Sequence, residues 1–155
     1  TVCAGAKAIL DLPKTLEYLE TAGVCVIGYQ TSSFPAFYSR DSGLQLDYSA
    51  ESADVVARAF VAREQLGLPG GLLVAAPIPV EYEIPADQIG AAIDLAIEQA
   101  AESGVHGKDV TPFLLASLAR ITAGRSIEAN LALLENNARV GARIAKAISA
   151  LARAV

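Results

Sequence analysis

The chain has 155 residues, 53% of them hydrophobic, and its 12 basic and 17 acidic residues give a net charge of −5. A chain of this length is the size of one ordinary domain and can bury roughly 70% of its unfolded surface, which favours a globular core and excludes a disordered protein. The acidic balance argues against a broad nucleic-acid-binding surface. No apolar run reaches the roughly 18–20 residues that a membrane-spanning helix needs.

The sequence contains two cysteines and one histidine. Cys3 and Cys25 each lie in an apolar, strand-like run, and we interpret them as reduced core thiols, which are typical of a cytosolic protein. Together with His106 they would not complete a zinc site without help from carboxylates. Because His106 lies in a Gly-Val-His-Gly turn, we expect it to be exposed.

The chain opens at Thr1, inside a strand-like segment, and contains no methionine. An amino terminus at this position would leave the strand without part of its pairing. We therefore expect the chain to be a piece of a longer protein.

The first 27 residues predict a strand, a helix and a second strand. Residues 1–4 form a short apolar run. Asp11 is a suitable helix cap, Pro13 fits the first turn, and Gly23 is a typical helix end. Residues 24–27 have the continuous apolar pattern of a strand buried on both faces. A helix between two strands indicates a βαβ unit, which implies a parallel sheet and an α/β fold.

Residues 29–48 show no regular periodicity and mix aromatic residues with turn formers. A loop this long in a compact domain is usually functional or packed against a partner. The alternative is a surface excursion held in place by Phe34 and Phe37.

The rest of the chain predicts one strand and several helices. In the helix that follows Pro85, Ile89, Ile93 and Ile97 recur every four residues and are expected to form an apolar stripe. The predicted elements are a helix capped by Ser49 or Ser52 and ending near Gly67, a buried strand at 70–76, a helix from Pro85 to Gly104, a helix capped by Thr111 and ending at Gly124, and a long helix from Ser126 to about Ala154.

Lys7 follows the first predicted strand and precedes a helix. Ligands of open α/β sheets bind at this position. The positive end of the helix dipole and the apolar neighbours Ala6, Ala8 and Ile9 disfavour an ammonium group, which would leave the amine free to attack a carbonyl-type carbon. The alternative is an ordinary solvated lysine in a loop.

Asn130 lies on a face of the last helix that is otherwise made of leucine, valine and isoleucine. A buried amide must find partners, so Asn130 either holds a loop in place or orients a substrate hydroxyl. Asn137 is two turns further along nearly the same line of the helix. The sequence contains no phosphate-binding loop, serine elbow or zinc-site spacing. The residues alone therefore indicate an α/β domain with a candidate Schiff-base lysine.

The motifs of the chain resemble those of the pseudouridine-5′-phosphate glycosidase family, in its C-terminal half. The matching segments occur in the family's order through nearly the whole chain. They are residues 2–7, 9–11, 16–21, 28–29, 34–37, 70–72, 77–79, 107–108 and 111–116, together with Ser126, Asn130 and 136–138.

The resemblance implies a layered α/β/α fold with a mainly parallel sheet. Residues 1–155 would be the C-terminal half of one larger domain, and the N-terminal half is absent from this chain. The family reversibly cleaves the carbon–carbon bond of pseudouridine 5′-phosphate to uracil and ribose 5-phosphate, through a covalent Schiff-base intermediate between lysine and ribose. Lys7 matches the covalent lysine of the family, and Asn130 matches its catalytic asparagine.

The resemblance also implies a cytoplasmic homotrimer whose partners are a sugar phosphate and a base, with no nucleic acid and no membrane. A divalent metal, usually manganese, would be bound mainly by the missing N-terminal part, which also carries the general acid and much of the phosphate site. We therefore expect the chain alone to be inactive.

Two departures from the family pattern stand out. The family favours an asparagine where this chain has Ala76, and two glycines where it has Ala123-Gly124.

Some close relatives run the reaction in reverse and attach ribose 5-phosphate to an aromatic acceptor in secondary metabolism. Such a C-ribosylating synthase is the alternative function. A third interpretation is a non-catalytic domain whose long loop and last helix make only oligomer contacts.

Overall fold

The structure is a computed structural model that describes residues 1–7 and 10–153. Ala8 and Ile9, which entered the argument for Lys7, and the predicted helix end at Ala154 lie outside the described residues. The elements are β1 (Val2–Cys3), α1 (Leu12–Thr21), β2 (Cys25–Tyr29), β3 (Tyr48–Ala50), α2 (Ala53–Gln65), β4 (Leu72–Ala75), α3 (Ala86–Glu102), α4 (Val110–Ile121) and α5 (Arg125–Ala152), with 3-10 turns at Val80–Tyr82 and Gly107–Asp109.

The four strands form one sheet in the order β1-β4-β2-β3, and every pair in it is parallel. Val74 of β4 is in register with Val2 on one side and with Ile27 on the other. The predicted parallel sheet is confirmed. The sequence did not predict β3, because this short strand has two exposed residues and exists through its pairing with β2.

Helices cover both faces of the sheet. Successive residues of β2 point to opposite sides: Val26 packs with Leu16 of α1, whereas Ile27 packs with Val56 of α2 and Val140 of α5. Period-2 alternation with apolar residues on both sides is what a central strand of a parallel sheet requires. The layered α/β/α fold predicted from the resemblance is therefore confirmed.

Helices α3 and α4 and the first turns of α5 build a further core cluster, which also contains Ala4 from the end of β1. Within α3, Ile89 and Ile93 are buried, but Ile97 is 46% exposed. A spacing of four residues advances the helix by 400°, so each isoleucine is rotated about 40° past the previous one. The third isoleucine has consequently turned away from the core, and the stripe predicted there is shorter than expected.

Most predicted helix ends agree with the structure. The carboxylate of Asp11 accepts a hydrogen bond from the Lys14 backbone N–H at 3.1 Å, and Pro13 lies in the first turn of α1, as predicted. The cap predicted at Thr111 is wrong, because the 3-10 turn Gly107–Asp109 runs straight into α4 and places Asp109 at the cap position. Within the described residues, no helix is both long enough and apolar enough to cross a membrane.

Candidate active site

The carboxyl edge of the sheet is where the candidate residues gather. Helix α5 runs antiparallel to the strands: Gly141 lies against Val2 of β1, whereas the Asn136 side-chain amide donates to the carbonyl of Pro77, just past the end of β4, at 3.1 Å. Because a helix rises about 1.5 Å per residue, the turns of α5 before Asn136 lie beyond the carboxyl ends of the strands. Both predicted site residues, Lys7 and Asn130, are therefore on this edge.

Lys7 is exposed and follows a tightly held piece of backbone. Gly5 has a φ of +83°, and a Cβ placed on it would lie 1.7 Å from the carbonyl oxygen of Pro35. The Phe37 N–H donates to the Ala4 carbonyl at 3.0 Å on the same stretch. Only glycine permits both the left-handed φ and this close approach. The loop around Pro35 thus fixes the backbone from which Lys7 projects.

The loop at residues 29–48, for which the sequence showed no regular periodicity, is packed into the domain. Phe34 is 1% exposed, and Ser33, Pro35, Ala36, Tyr38 and Ser39 are also buried. Phe34 anchors the loop, as one of the two sequence interpretations proposed, but the middle of the loop is not a surface excursion.

Polar contacts connect this loop to the chain that follows β4. The Ser39 hydroxyl donates to the Ile84 carbonyl at 2.7 Å, and the Arg40 guanidinium donates to the Ile78 carbonyl. The Arg40 N–H donates to the Glu83 carboxylate at 2.8 Å. The exit of β1 and the exit of β4 are therefore linked through one loop, which gives the carboxyl edge a defined shape.

Asn130 is half-buried in the second turn of α5. Its neighbours Ala129 and Leu133 belong to the core cluster that contains Ala4, three residues before Lys7. The fold therefore brings the start of α5 and the exit of β1 to one cluster. It does not join the two predicted residues directly: within the described part of the chain, no hydrogen bond links Lys7 to Asn130.

The asparagine pair Asn136-Asn137 is a feature of the site whose significance residue-level reasoning did not recognise. Asn136 holds the β4 exit through its bond to Pro77, and the Oδ1 atom of Asn137 is buried without a hydrogen-bond partner in the described residues. The signal that could have found them is two adjacent amides of which one, Asn137, lies on the apolar face of the helix between Leu133 and Val140.

Cys3 lies at the end of β1, but burial disfavours the nucleophilic thiolate form of its side chain. Burial raises the pKa of the Cys3 thiol above its usual value, so the thiol stays protonated at neutral pH. Both cysteines are free and partly buried, which agrees with the interpretation as reduced thiols. His106 is exposed, as predicted. The amine of Lys7 is therefore the nucleophile with the best access at the exit of β1.

The residues that the structure describes do not form a metal centre by themselves. They contain no group of three or more His, Cys, Asp or Glu side chains that could hold a metal ion. A divalent ion would need ligands from outside this part of the chain.

A cleft of about 360 Å³ lies between α5 and the turn Val80–Tyr82. Its walls include Tyr82, Leu131, Asn136 and Arg139, but neither Lys7 nor Asn130. The exposed side chain of Lys7 therefore lies outside this cleft.

Comparison with known proteins gives one family. The family model described as indigoidine synthase A-like protein matches residues 1–147. The pseudouridine-5′-phosphate glycosidase of Glaesserella parasuis is 54% identical over 144 residues, which cover 93% of this chain and 48% of that protein. The corresponding glycosidase of Caldanaerobacter subterraneus is 53% identical over 150 residues, or 97% of this chain and 49% of that protein.

Two solved structures have the same fold. The prealnumycin C-glycosynthase AlnA, in complex with ribulose 5-phosphate, has a TM-score of 0.89 and 36% identity, covering 98% of this chain and 50% of that one. An indigoidine synthase A-like protein from Thermotoga maritima has a TM-score of 0.83 and 39% identity, covering 96% of this chain and 48% of that one. The chain thus spans about half the length of the relatives it matches.

Proposed function

Because the chain belongs to the indigoidine synthase A-like family, we propose that it is the lysine-bearing half of a C-glycosidase. The enzyme would reversibly cleave pseudouridine 5′-phosphate to uracil and ribose 5-phosphate. The observation that carries this proposal is the 54% identity to a protein of that name over 93% of the chain. The location of Lys7 at the carboxyl edge of a parallel sheet supports the same assignment.

A lysine suits this bond because a C-nucleoside lacks a leaving oxygen. Ordinary glycosidases protonate such an oxygen with a carboxylic acid, and a carbon–carbon bond offers no equivalent. The amine of Lys7 would bond to C1 as the bond between C1 and the ring oxygen breaks; that oxygen takes up a proton and becomes the C4 hydroxyl of the opened ribose, and uracil stays attached at C1. When uracil is protonated on the carbon that leaves, the electrons of the broken bond go to uracil and the nitrogen lone pair forms an iminium with C1. Water then hydrolyses the iminium, which releases ribose 5-phosphate and restores the amine.

Asn130 would act on the sugar. Its amide is half-buried beside the cluster that holds the β1 exit, and it can both donate to and accept from hydroxyl groups. Holding the opened sugar in one orientation lowers the entropic part of the barrier. The general acid and most ligands of a divalent ion, Mn²⁺, would come from the N-terminal half of the enzyme. The complete enzyme would form a cytoplasmic homotrimer.

The other half of the enzyme would cover the outer face of α5. Ile127, Leu131 and Leu134 are all more than half exposed there, and Tyr82 lies across the cleft from Leu131. A contiguous exposed apolar surface of this kind marks a protein interface. The relatives are about twice as long as this chain, which supports the missing half as the occupant.

A C-ribosylating synthase is the second candidate, because AlnA is a C-glycosynthase that shares the fold at a TM-score of 0.89. Both functions use a sugar phosphate and the same lysine. They differ in the group attached at C1, uracil in one case and another aromatic acceptor in the other.

Reductive trapping tests the role of Lys7. Full-length protein incubated with ribose 5-phosphate and borohydride is expected to gain the mass of one sugar phosphate minus one oxygen atom, on the peptide that contains Lys7. Lys7→Ala is expected to lose both the adduct and turnover while keeping its melting temperature, because the side chain is exposed. Lys146→Ala, at an exposed lysine of α5, is the control and should keep the adduct. An adduct spread over several lysines, or none, contradicts the proposal.

Uracil release separates the two candidate functions. The glycosidase proposal predicts that the full-length protein releases uracil from pseudouridine 5′-phosphate. A protein that forms the Lys7 adduct, releases no uracil and couples the sugar phosphate to an aromatic acceptor is the synthase.

A further inference from the structure

The outer edge of β1 is a part of the sheet that the described strands leave open. The carbonyls of Thr1 and Cys3 each accept a hydrogen bond at 2.8 Å from the neighbouring strand, β4. Successive residues of a strand direct their N–H and C=O groups to opposite sides, so those of Val2 point away from β4. β1 is the last strand in the sheet order, and within the described residues no strand lies beside it on that side. The backbone of Val2 is therefore placed to pair with a further strand.

The opposite edge of the sheet, β3, has the features of an edge that faces solvent. The Ala50 carbonyl accepts a hydrogen bond at 2.9 Å from the residue that follows β2, so the backbone of Ser49 points outward. Ser49 is exposed, and exposed carboxylates lie on either side of the strand at Asp47 and Glu51. Charges of this kind oppose pairing with another strand. Residues 2–4 carry no charge and are half-buried or buried, so β1 lacks this protection.

An exposed apolar row on α5 borders the open edge. A Cβ placed on Gly141 would lie 3.7 Å from a methyl group of Val2, so this side of α5 faces β1. Leu134 lies seven residues before Gly141, and Ile127 lies seven residues before Leu134, which places all three on nearly the same line of the helix. The side chains of Leu134 and Ile127 are 55% and 54% exposed. One side of α5 thus carries apolar residues without a cover, next to a strand edge without a partner.

The other half of the protein is the occupant that fits both features. The relatives are about twice as long as this chain, and their additional length is enough for further strands. Neighbouring strands lie about 4.8 Å apart, so a strand beside β1 would pass along the same side of α5. Its backbone would bond to Val2, and its apolar side chains would cover Leu134 and Ile127.

We propose that the sheet continues past β1, through a strand of the N-terminal half that pairs with the N–H and C=O of Val2 and packs against Leu134 and Ile127. The inference deepens the proposed function, on which it rests for the existence of that half. It adds a backbone interface at the sheet edge to the side-chain interface proposed for α5.

The added strand would end beside the candidate site. The Phe37 N–H donates to the Ala4 carbonyl at 3.0 Å, so the long loop closes the edge just beyond Val2. The same loop holds Gly5 and the backbone that leads to Lys7. Whichever direction the added strand runs, one of its ends lies next to this loop. Residues that border that end are therefore placed to complete the site around the lysine.

Hydrogen exchange of single backbone amides in the full-length protein tests the added strand. We expect the Val2 amide, after correction for its intrinsic rate, to exchange at least about a hundredfold more slowly than the Ser49 amide, because a bonded amide exchanges only when the structure opens. Ser49 is the matched control, since its N–H points outward from the other edge of the sheet. Equal exchange at the two positions would show that the outer edge of β1 faces solvent and would overturn the inference.

Proline variants of the full-length protein give a second measurement. Val2→Pro removes the outward N–H, whereas Val2→Ala shortens the side chain and keeps the N–H, so the difference between their melting temperatures isolates the backbone group. We expect Val2→Pro to melt clearly below Val2→Ala. Ser49→Pro should differ little from Ser49→Ala, because an edge strand tolerates a proline where the N–H faced solvent. Equal effects of proline at the two edges would contradict a strand beside β1.

Three further results separate this inference from its premise. Fast exchange at Val2 in a protein that still forms the Lys7 adduct would refute the added strand and leave the proposed function intact. Slow exchange at Val2 in a protein that forms no adduct would support the strand and refute the proposed role of Lys7. Protection of Val2 that disappears when the protein is diluted into monomers would assign the edge to a second copy of the chain and would overturn the inference.

Discussion

Ala123 has a backbone φ of +50°, in the left-handed region that residues with a Cβ rarely adopt. It precedes Gly124, whose φ is +88°, in the turn between α4 and α5. The resemblance to the glycosidase family implies two glycines at these positions. The turn therefore retains a glycine-type conformation although one of its residues is alanine, and the strain falls on Ala123.

Ala123→Gly is expected to stabilise the protein. A left-handed conformation costs a residue with a Cβ about 1–2 kcal/mol, and the extra freedom of glycine in the unfolded chain offsets about 0.4–1 kcal/mol of that. The difference leaves a gain of about 0.5–1 kcal/mol in the free energy of unfolding, which denaturant titration can measure. Gly124→Ala, the matched control, should lose stability. A less stable Ala123→Gly would mean that the strain is relieved elsewhere.

The long loop between β2 and β3 is held as an element by polar contacts as well as by Phe34. The Ser33 hydroxyl and the Gly43 N–H both donate to the carboxylate of Asp41. The Ser33 hydroxyl, followed by the Gly43 N–H, lowers the pKa of Asp41 below its ordinary value of 3.8. Because this loop holds Gly5 and the backbone that leads to Lys7, the ionisation of Asp41 contributes to the shape of the candidate site.

The stabilisation that the Asp41 carboxylate gives to the folded state should decrease as the pH falls. A lowered pKa means that the folded state prefers the carboxylate, so this stabilisation is complete well above pH 3.8 and is lost as the pH falls through the folded-state pKa. The melting temperature of wild type should therefore exceed that of Asp41→Asn at pH 7, and the difference should vanish on acidification. A difference that stays constant down to the lowest pH would exclude ionisation as the cause.

The molecule exposes apolar side chains on its surface that do not take part in its core. The outer face of α5 exposes Ile127, Leu131 and Leu134, although the opposite face of the same helix packs on the sheet. An isolated domain would expose few such neighbouring residues. This surface is the reason for our proposal that the other half of the enzyme packs against α5.

Leu131→Lys is expected to prevent association of the two halves. When the two halves are produced as separate chains, the wild-type chain should co-purify with its N-terminal counterpart, and Leu131→Lys should not, because a lysine would be buried in an apolar interface. Leu66→Lys, at an exposed leucine after α2, is the control and should still associate. Association unaffected by Leu131→Lys would place the other half on a different surface.

Local sequence patterns predicted most of the elements and the class of the fold. Asp11 caps α1 by a bond within its own turn, and the apolar run of β2 requires burial on both faces wherever the strand lies. Such features depend on neighbours in the sequence, and the structure agrees with them. Lys7 could be singled out for the same reason, because a strand followed by a helix predicts the edge on which the side chain lies, although its chemistry is still a prediction.

Only the tertiary structure decided what depends on distant partners. β3 exists through pairing with β2, and the loop before it is buried because Gly5 lies against Pro35, 30 residues away. Only the placement of α5 against the exits of β1 and β4 showed that Oδ1 of Asn137 is buried without a hydrogen-bond partner among the described residues. The sequence by itself determined the elements and the candidate lysine, because periodicity and caps are local. Packing decided which strand ends, loop and amides form one edge, because those contacts join residues that no local pattern relates.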